Sequence, residues 1–344
     1  MIGEGGEGTV RDPHSVPATA LLRHAGITVP LIGGAMFPCS NPELVAAVSR
    51  AGGIGVVQPV TLTYVLGLEF RKALRLIRRL SDGRPVGMNA LIESSSRAYH
   101  ERMVRWVDVA LEEGIRFFVT SLGKPRWVVR RVHAVGGIVY HDVTERRWAV
   151  KALDSGVDGL IGVNGSAGGH AGPRTAEQLM DELEDLRVPV VCAGGVATAA
   201  DFVYALELGY AGVQMGTRLI ATPECGVSDA YKRAIVRATA DDIVLSERVT
   251  GVPLAVIRTP YVERLGLRAG RTARWMLRGR RRKRLMRTLY AVRSGWTLAR
   301  SSRGGRGARE FWQAGRSVAG VKGVEPVGDI VAGCATAARA AGLI

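Results

Sequence analysis

Cysteine is scarce in this chain, and its spacing excludes more than its number does. Cys39, Cys192, Cys225 and Cys334 stand far apart, with no CxxC pair and no histidine cluster beside them. That pattern argues against a zinc site and against a disulfide framework. Long apolar runs are also missing: none reaches the roughly 18–20 residues needed to span a bilayer. The first twenty residues are Gly-rich and polar, and Glu4, Glu7 and Asp12 among them fit neither a signal peptide nor a transit peptide. Cytoplasm is the expected compartment, and residues 1–25 read as a loose tail. Aromatic residues make up 6% of the chain and hydrophobic residues 47%, the values of a soluble globular protein. Its 344 residues are enough to bury a large core.

Acidic residues are nearly absent from one stretch. Residues 264–316 hold 17 of the 47 Lys and Arg but, in Glu310, only one of the 31 Asp and Glu. Outside them the two signs balance, so one segment carries the whole net charge of +16. Localised charge of this kind points to a specific anionic contact rather than to a protein that coats polyanions.

From residue 30 to about 220, short β-branched runs alternate with segments of helical spacing. Strands are predicted at Pro30–Ala35, Gly53–Gln58, Pro85–Leu91, Arg116–Ser121, Gly137–Asp142, Asp158–Val163, Pro189–Ala193 and Gly212–Met215. Most are nearly continuous apolar runs, as parallel strands covered on both faces require. Helices are predicted between them, including Asn41–Ala51, Tyr64–Leu80, Ala98–Glu113, Lys124–Val135, Thr144–Ser155, Thr175–Leu186 and Ala197–Leu208. Glycines at the strand starts (Gly53, Gly114, Gly136, Gly137, Gly156, Gly209) read as helix C-caps. Eight alternations in about 190 residues fit a (β/α)8 TIM barrel better than an open doubly wound sheet, and the first strand lacks a GxGxxG turn. The barrel is assigned to 26–225 and a strongly basic, mostly helical cap to 226–310. Within the cap, 227–240 is helical, 241–260 an irregular, partly extended excursion, 264–300 one or two helices, and Ser301–Gly307 a loop. Residues 311–344 are read as a helical segment that packs back on the barrel.

The run Asn164-Gly165-Ser166-Ala167-Gly168-Gly169-His170-Ala171-Gly172 follows the sixth strand. Glycines permit positive φ and close backbone approach, so four of them around one imidazole suggest a loop seated against a flat ligand. His170 can titrate near neutral pH. Strand seven ends in Ala193-Gly194-Gly195, with a helix expected to open at Val196. Strand eight ends in Gln214-Met215-Gly216-Thr217-Arg218. Free amides, a hydroxyl and a guanidinium on the loops after strands seven and eight make a phosphate cradle for a phosphorylated cofactor.

In these motifs the chain resembles the nitronate monooxygenase (2-nitropropane dioxygenase) family of FMN-dependent barrel enzymes. The likeness also rests on Pro30–Met36, Ala51–Gly55, Pro85–Asn89, Thr120–Pro125 and Trp312–Gly315. It runs from Pro30 to about Arg258, with a further match over Phe311–Ile330. The resemblance implies FMN across the barrel mouth, with Gly34, Ala35 and Met36 against the isoalloxazine and Asn89 on its polar edge. It puts Gly169 near the ring and Gly194, Gly195, Gly216 and Thr217 on the phosphate, with Gln214 beside them at the mouth. His170 is implied as the base that removes the α-proton of a nitroalkane, with O2 as oxidant. The chain departs from the family pattern at Ser166, where many members carry an acid, and at Gly34-Ala35-Met36, where many have Ala-Pro-Met; both positions face the substrate. The family also includes flavin enzymes that use NAD(P)H to reduce enoyl thioesters or quinones, and others that act on CoA esters. These set the alternative function, with an acyl thioester of CoA or acyl-carrier protein in place of the nitronate.

Other residues carry weaker signals. His141, in Tyr140-His141-Asp142, either lines the pocket or is a hydrogen-bonded structural histidine, and Asp142, Lys124 and Gln214 are candidate mouth residues. The basic run Arg278–Arg284 is read as a solvated helix face, as a grip on an anionic carrier, or as a nucleic-acid contact aided by Trp275, Tyr290 and Trp296. A homodimer is the expected assembly if there is one, no metal is expected, and no membrane span is expected.

Overall fold

The computed structural model describes residues 19–93, 96–248, 251–268, 300–301 and 310–344. Eight parallel strands close into a barrel in chain order: β1 (Leu31–Gly33), β2 (Ile54–Val57), β3 (Val86–Leu91), β4 (Phe117–Ser121), β5 (Ile138–Val143), β6 (Gly159–Val163), β7 (Val190–Ala193) and β8 (Gly212–Met215). Closure is made by β8 on β1, with Leu31 opposite Val213 and Gly33 opposite Met215. Alternation along each strand separates two cores. Ile32, Val56, Phe117, Val119, Tyr140, Ile161 and Val191 fill the barrel. Val57, Met88, Phe118, Val139, Leu160 and Val213 face the helices and join the larger outer core. Both faces are covered, which is why the strands are mostly apolar.

Helices α2 (Pro42–Arg50), α3 (Phe70–Leu80), α4 (Arg97–Glu112), α5 (Arg126–His133), α6 (Arg146–Leu153), α7 (Ala176–Leu183) and α8 (Ala199–Glu207) alternate with the strands. Their starts follow local capping chemistry. Thr175 and Gln178 form a capping box on α7, and Thr198 and Asp201 form one on α8. Helix α8 therefore opens at Ala199 and not at Val196. The expected helix from Tyr64 divides into a π-helical turn, Thr61–Val65, and then α3, because Gly67 sits at φ +69° and the Glu69 carboxylate caps Arg71 and Lys72. Before β2 it is Gly52, at φ +101°, that takes the left-handed conformation, whereas Gly53 is needed because a Cβ there would lie 2.7 Å from the Leu31 carbonyl.

Three other regions differ from expectation. Residues 19–25, expected to be tail, form helix α1 (Thr19–Ala25), whose Leu21 is wholly buried against the barrel interior. After the short α9 (Thr217–Ile220) and α10 (Asp229–Arg237), the irregular excursion is an antiparallel hairpin, β9 (Ile243–Ser246) with β10 (Leu254–Ile257), followed by α11 (Pro260–Leu265). Phe311–Gly315 is extended rather than helical, Arg316–Gly320 is a 3-10 turn, and α12 spans only Val327–Ala340. Gly315, Gly320, Gly323 and Pro326 interrupt any longer helix there. Helix α12 packs between α2 and α8. The expected basic helices over 264–300 and the loop at 301–307 lie almost wholly outside the described residues. No helix among the described residues is long and apolar enough to cross a membrane.

Candidate active site

The C-terminal ends of the strands bring most of the predicted site residues into two adjoining groups. The first is at the β8–β1 seam. The Gly34 amide donates to the Met215 carbonyl at 2.9 Å, and a Cβ on Gly34 would come within 3.0 Å of the Gln214 side chain. A Cβ on Gly216 would meet Met36 Sδ at 3.3 Å. Met36 is held by its own amide, which donates to Ser40 Oγ at 2.8 Å, and Ala35 and Met36 keep partial exposure.

The second group is organised by Asn164, which is 1% exposed. Its Nδ2 donates to the Gly194 carbonyl at 2.9 Å and its Oδ1 accepts the Ser166 amide at 2.8 Å. One side chain thus ties the loop after β6 to the loop after β7. Gly194, at φ +114°, lies so close that a Cβ would stand 2.4 Å from Asn164 Oδ1. Gly195 is different: at φ +86°, its nearest neighbour to a Cβ is Ser166 at 3.4 Å, leaving room for a ligand to approach the backbone. Thr217 is buried, and its Oγ1 accepts the Gly315 amide at 2.9 Å. The hydroxyl proton therefore remains free to donate.

A strap at Phe311–Gly315 and the β9–β10 hairpin enclose these loops. Ala255 N donates to Gly169 O at 2.8 Å, Ile257 N to Trp312 O at 2.9 Å, and Gln313 Nε2 to Phe37 O at 3.2 Å. Gly315 fits where no side chain could, since a Cβ would lie 2.5 Å from both the Gly168 amide and the Ser166 carbonyl. His170 is exposed, and its Nδ1 lies 2.9 Å from the Pro253 carbonyl of the hairpin. A carbonyl only accepts, so Nδ1 carries a proton, and in the neutral tautomer it is Nε2 that presents the lone pair.

Asn89, Asp142 and Gln214 share the inward faces of β3, β5 and β8, by alternation with Met88, Val143 and Val213, which face the helices. Asn89 is 7% exposed and stands two strands round the barrel from β1. Asp142 Oδ1 and Gln214 Oε1 are buried without a hydrogen-bond partner among the described residues. Burial pushes the Asp142 carboxyl up to about 7. His141 lies on the opposite face of β5 and hydrogen-bonds to Thr120 Oγ1 at 2.8 Å, while that hydroxyl donates to the Tyr140 carbonyl. Burial lowers its pKa to about 4, so it is a neutral structural histidine and not a mouth residue. Lys124 is exposed beyond β4. Arg218 turns away from the phosphate cradle; it is 4% exposed and ion-paired with Glu325, so it does not supply the expected guanidinium.

These residues fit FMN. Two orphaned buried oxygens face the mouth where a ring with donor and acceptor edges would sit, and the Thr217 hydroxyl and the Gly195 and Gly216 backbone stand where a phosphate needs donors. Sequence reading gave no weight to Asn164, although it opens the glycine-rich run. It had no means to find the Pro253 carbonyl, because that contact depends on the hairpin.

Fold and site together define a barrel oxidoreductase with its site at the C-terminal mouth. More particularly, the chain belongs to the nitronate monooxygenase family, whose model matches residues 18–331, and that family is FMN-dependent. Among its relatives is (3aS,4S,5R,7aS)-5-hydroxy-7a-methyl-1-oxo-octahydro-1H-indene-4-carboxyl-CoA dehydrogenase of Rhodococcus jostii, 30% identical over 72% of this chain and 67% of that protein. A probable nitronate monooxygenase of Staphylococcus saprophyticus is 26% identical over 73% of this chain and 81% of that one. In structure the chain is similar to FabK of Thermotoga maritima, with a TM-score of 0.74 and 26% identity over 94% of this chain and 96% of that one.

Proposed function

We propose that this protein binds FMN at the barrel mouth and oxidises alkyl nitronates and nitroalkanes with O2, using His170 as the base. The observation that carries the reading is the His170–Pro253 hydrogen bond, which commits Nδ1–H to the carbonyl and so leaves Nε2 as the free nitrogen of the neutral ring. Such a nitrogen takes the α-proton of a neutral nitroalkane. FMN supplies the electron acceptor, which O2 restores. Thr217 Oγ1 and the Gly194, Gly195 and Gly216 backbone hold the phosphate. Gln214, Asn89 and Asp142 meet the polar edge of the ring, and Gly34, Ala35, Met36 and Gly169 give it an uncrowded surface. The hairpin from the cap and the 311–315 strap from the C-terminal segment complete the site.

A second reading is favoured by the Rhodococcus relative, whose name specifies a carboxyl-CoA substrate. In it, the same base acts on a carbon acid α to a thioester, or NAD(P)H reduces an enoyl thioester or quinone at the same mouth. The basic stretch over 264–316 would then suit the phosphates of the carrier.

Anaerobic rapid mixing of the purified yellow protein separates these readings. Prompt loss of flavin absorbance with propyl-2-nitronate, and none with NADPH, is the expected result. Loss with NADPH alone would overturn the monooxygenase reading in favour of the reductase.

A further inference from the structure

The face of the barrel opposite the mouth carries a concavity of about 430 Å³. It lies among the loops that lead into β1, β3 and β4, beside α1 and α3. Its rim carries Arg23, Arg78, Arg84 and Arg116, and its apolar wall includes Leu74, Pro85 and Phe117. Several arginines elsewhere pair with carboxylates, Arg71 and Arg75 with Glu113, Arg131 with Asp108, Arg146 with Asp185 and Arg174 with Glu182, while others, such as Arg50 and Arg126, donate to backbone carbonyls. Arg23, Arg78 and Arg84 have no carboxylate partner among the described residues. Arg116 donates only to the Leu111 and Ile115 carbonyls, at 2.9 Å each. The one carboxylate on the lining, Glu113, is taken by Arg71 at 2.8 Å and Arg75 at 2.9 Å, both outside the concavity. Four arginines lining a partly apolar hollow therefore leave an excess of positive charge that no carboxylate among the described residues neutralises. The volume suits a small molecule, and Arg is the side chain best matched to phosphate oxygens.

We propose that this concavity binds a phosphorylated small molecule with an apolar body, of the nucleoside diphosphate class. The phosphates lie on the arginine rim and the body lies against Leu74, Pro85 and Phe117. The site is separate from the mouth and independent of the reaction performed there.

Titration calorimetry on the full, FMN-loaded chain tests this with ADP and with inorganic pyrophosphate. ADP is expected to bind with salt-sensitive affinity, and pyrophosphate more weakly for want of the apolar contact. The Arg78→Ala/Arg84→Ala variant, altered at two exposed positions far from the mouth, should lose about 10–100-fold in ADP affinity with nitronate turnover unchanged. Undiminished ADP binding by that variant would overturn the site. Equal affinity for ADP and pyrophosphate would overturn the apolar half of the proposal. Binding seen only after Glu4→Gln, Glu7→Gln and Asp12→Asn substitution would give the hollow to the chain's own acidic N-terminal segment, and the proposal would fall.

Discussion

At His170 a single carbonyl decides what the side chain can do. With Nδ1 committed to Pro253 O, a contact 83 residues away in sequence, the neutral ring leaves Nε2 for the proposed role of base. Replacing it with Asn keeps a polar side chain but no titratable nitrogen. Turnover of neutral nitroalkanes should fall about 10²–10⁴-fold, while pre-formed nitronates continue to react and bound FMN is unchanged. Steady-state kinetics with both substrate forms reads this directly, and equal losses for the two would remove His170 as base. Asp142 makes a different prediction, about stability. Its folded pKa is raised to about 7 by burial, so between about pH 4 and 7 the folded apoprotein holds a proton that the unfolded chain releases. Its contribution is therefore largest below pH 4 and is lost as pH rises through 7. His141, lowered to about 4, acts with the opposite sign over about 6.5 to 4, so the wild type alone gives a mixed profile. Comparison with Asp142→Asn isolates the carboxyl: the variant's Tm should gain on the wild type by several degrees between pH 5 and 8, at roughly 1–2 °C for each kcal/mol in a chain of 344 residues. Parallel profiles from the two proteins in thermal melts would show that Asp142 is not buried as a neutral acid.

Between elements, the site depends on loops that brace one another. Asn164→Ala removes the donor to Gly194 O and the acceptor for Ser166 N in a buried position. Two backbone groups would be left unsatisfied, a destabilisation of about 2–4 kcal/mol. Because the braced loop presents Gly195, FMN affinity should drop as well. Asn164→Asp preserves the acceptor alone and should fall between the two, which flavin release measured against urea midpoints would show. Much of this region was legible in advance. The alternation of apolar runs with capped helices placed all eight strands, because parallel strands wrapped by helices cannot hide their composition. The glycines at 169, 194, 195 and 216 marked the strand ends, because Gly169, Gly194 and Gly195 take positive φ there and Gly194 also admits a close backbone approach. What escaped was non-local. The hairpin at 243–257 has strands of four residues, β9 of mixed exposure and β10 buried throughout, too short for periodicity to declare them. The strap at 311–315 is extended because Gln313 and Trp312 pair with β10 and not because of local propensity. Arg218 read as a phosphate ligand from its place after Thr217, yet its partner Glu325 lies 107 residues on.

Across the whole molecule, the proposed active site lies at one end of the barrel and closure at the other. Helix α1 seals the N-terminal end with Leu21, Ala25 and the adjoining Ile27 packed into the interior cluster. That role was invisible in the sequence, since seven residues after a polar, Gly-rich stretch carry too little pattern to separate a plug from a tail. The plug meets Ile32, Phe117 and Tyr140, and His24 Nδ1 lies 3.1 Å from the Tyr140 hydroxyl. Tyr140 thus gains a partner for a hydroxyl otherwise sealed inside an apolar barrel. Leu21→Ala should therefore leave a cavity that rigid strands cannot close, costing about 2–5 kcal/mol. The loss should appear as a lower urea midpoint with an unchanged slope. FMN affinity and nitronate KM at 25 °C should not move, because the mouth is braced by its own loops and not by the plug. If flavin affinity fell in step with stability, the two ends would be coupled through Phe117 and Tyr140, and the barrel could not be treated as a rigid frame that separates folding from catalysis.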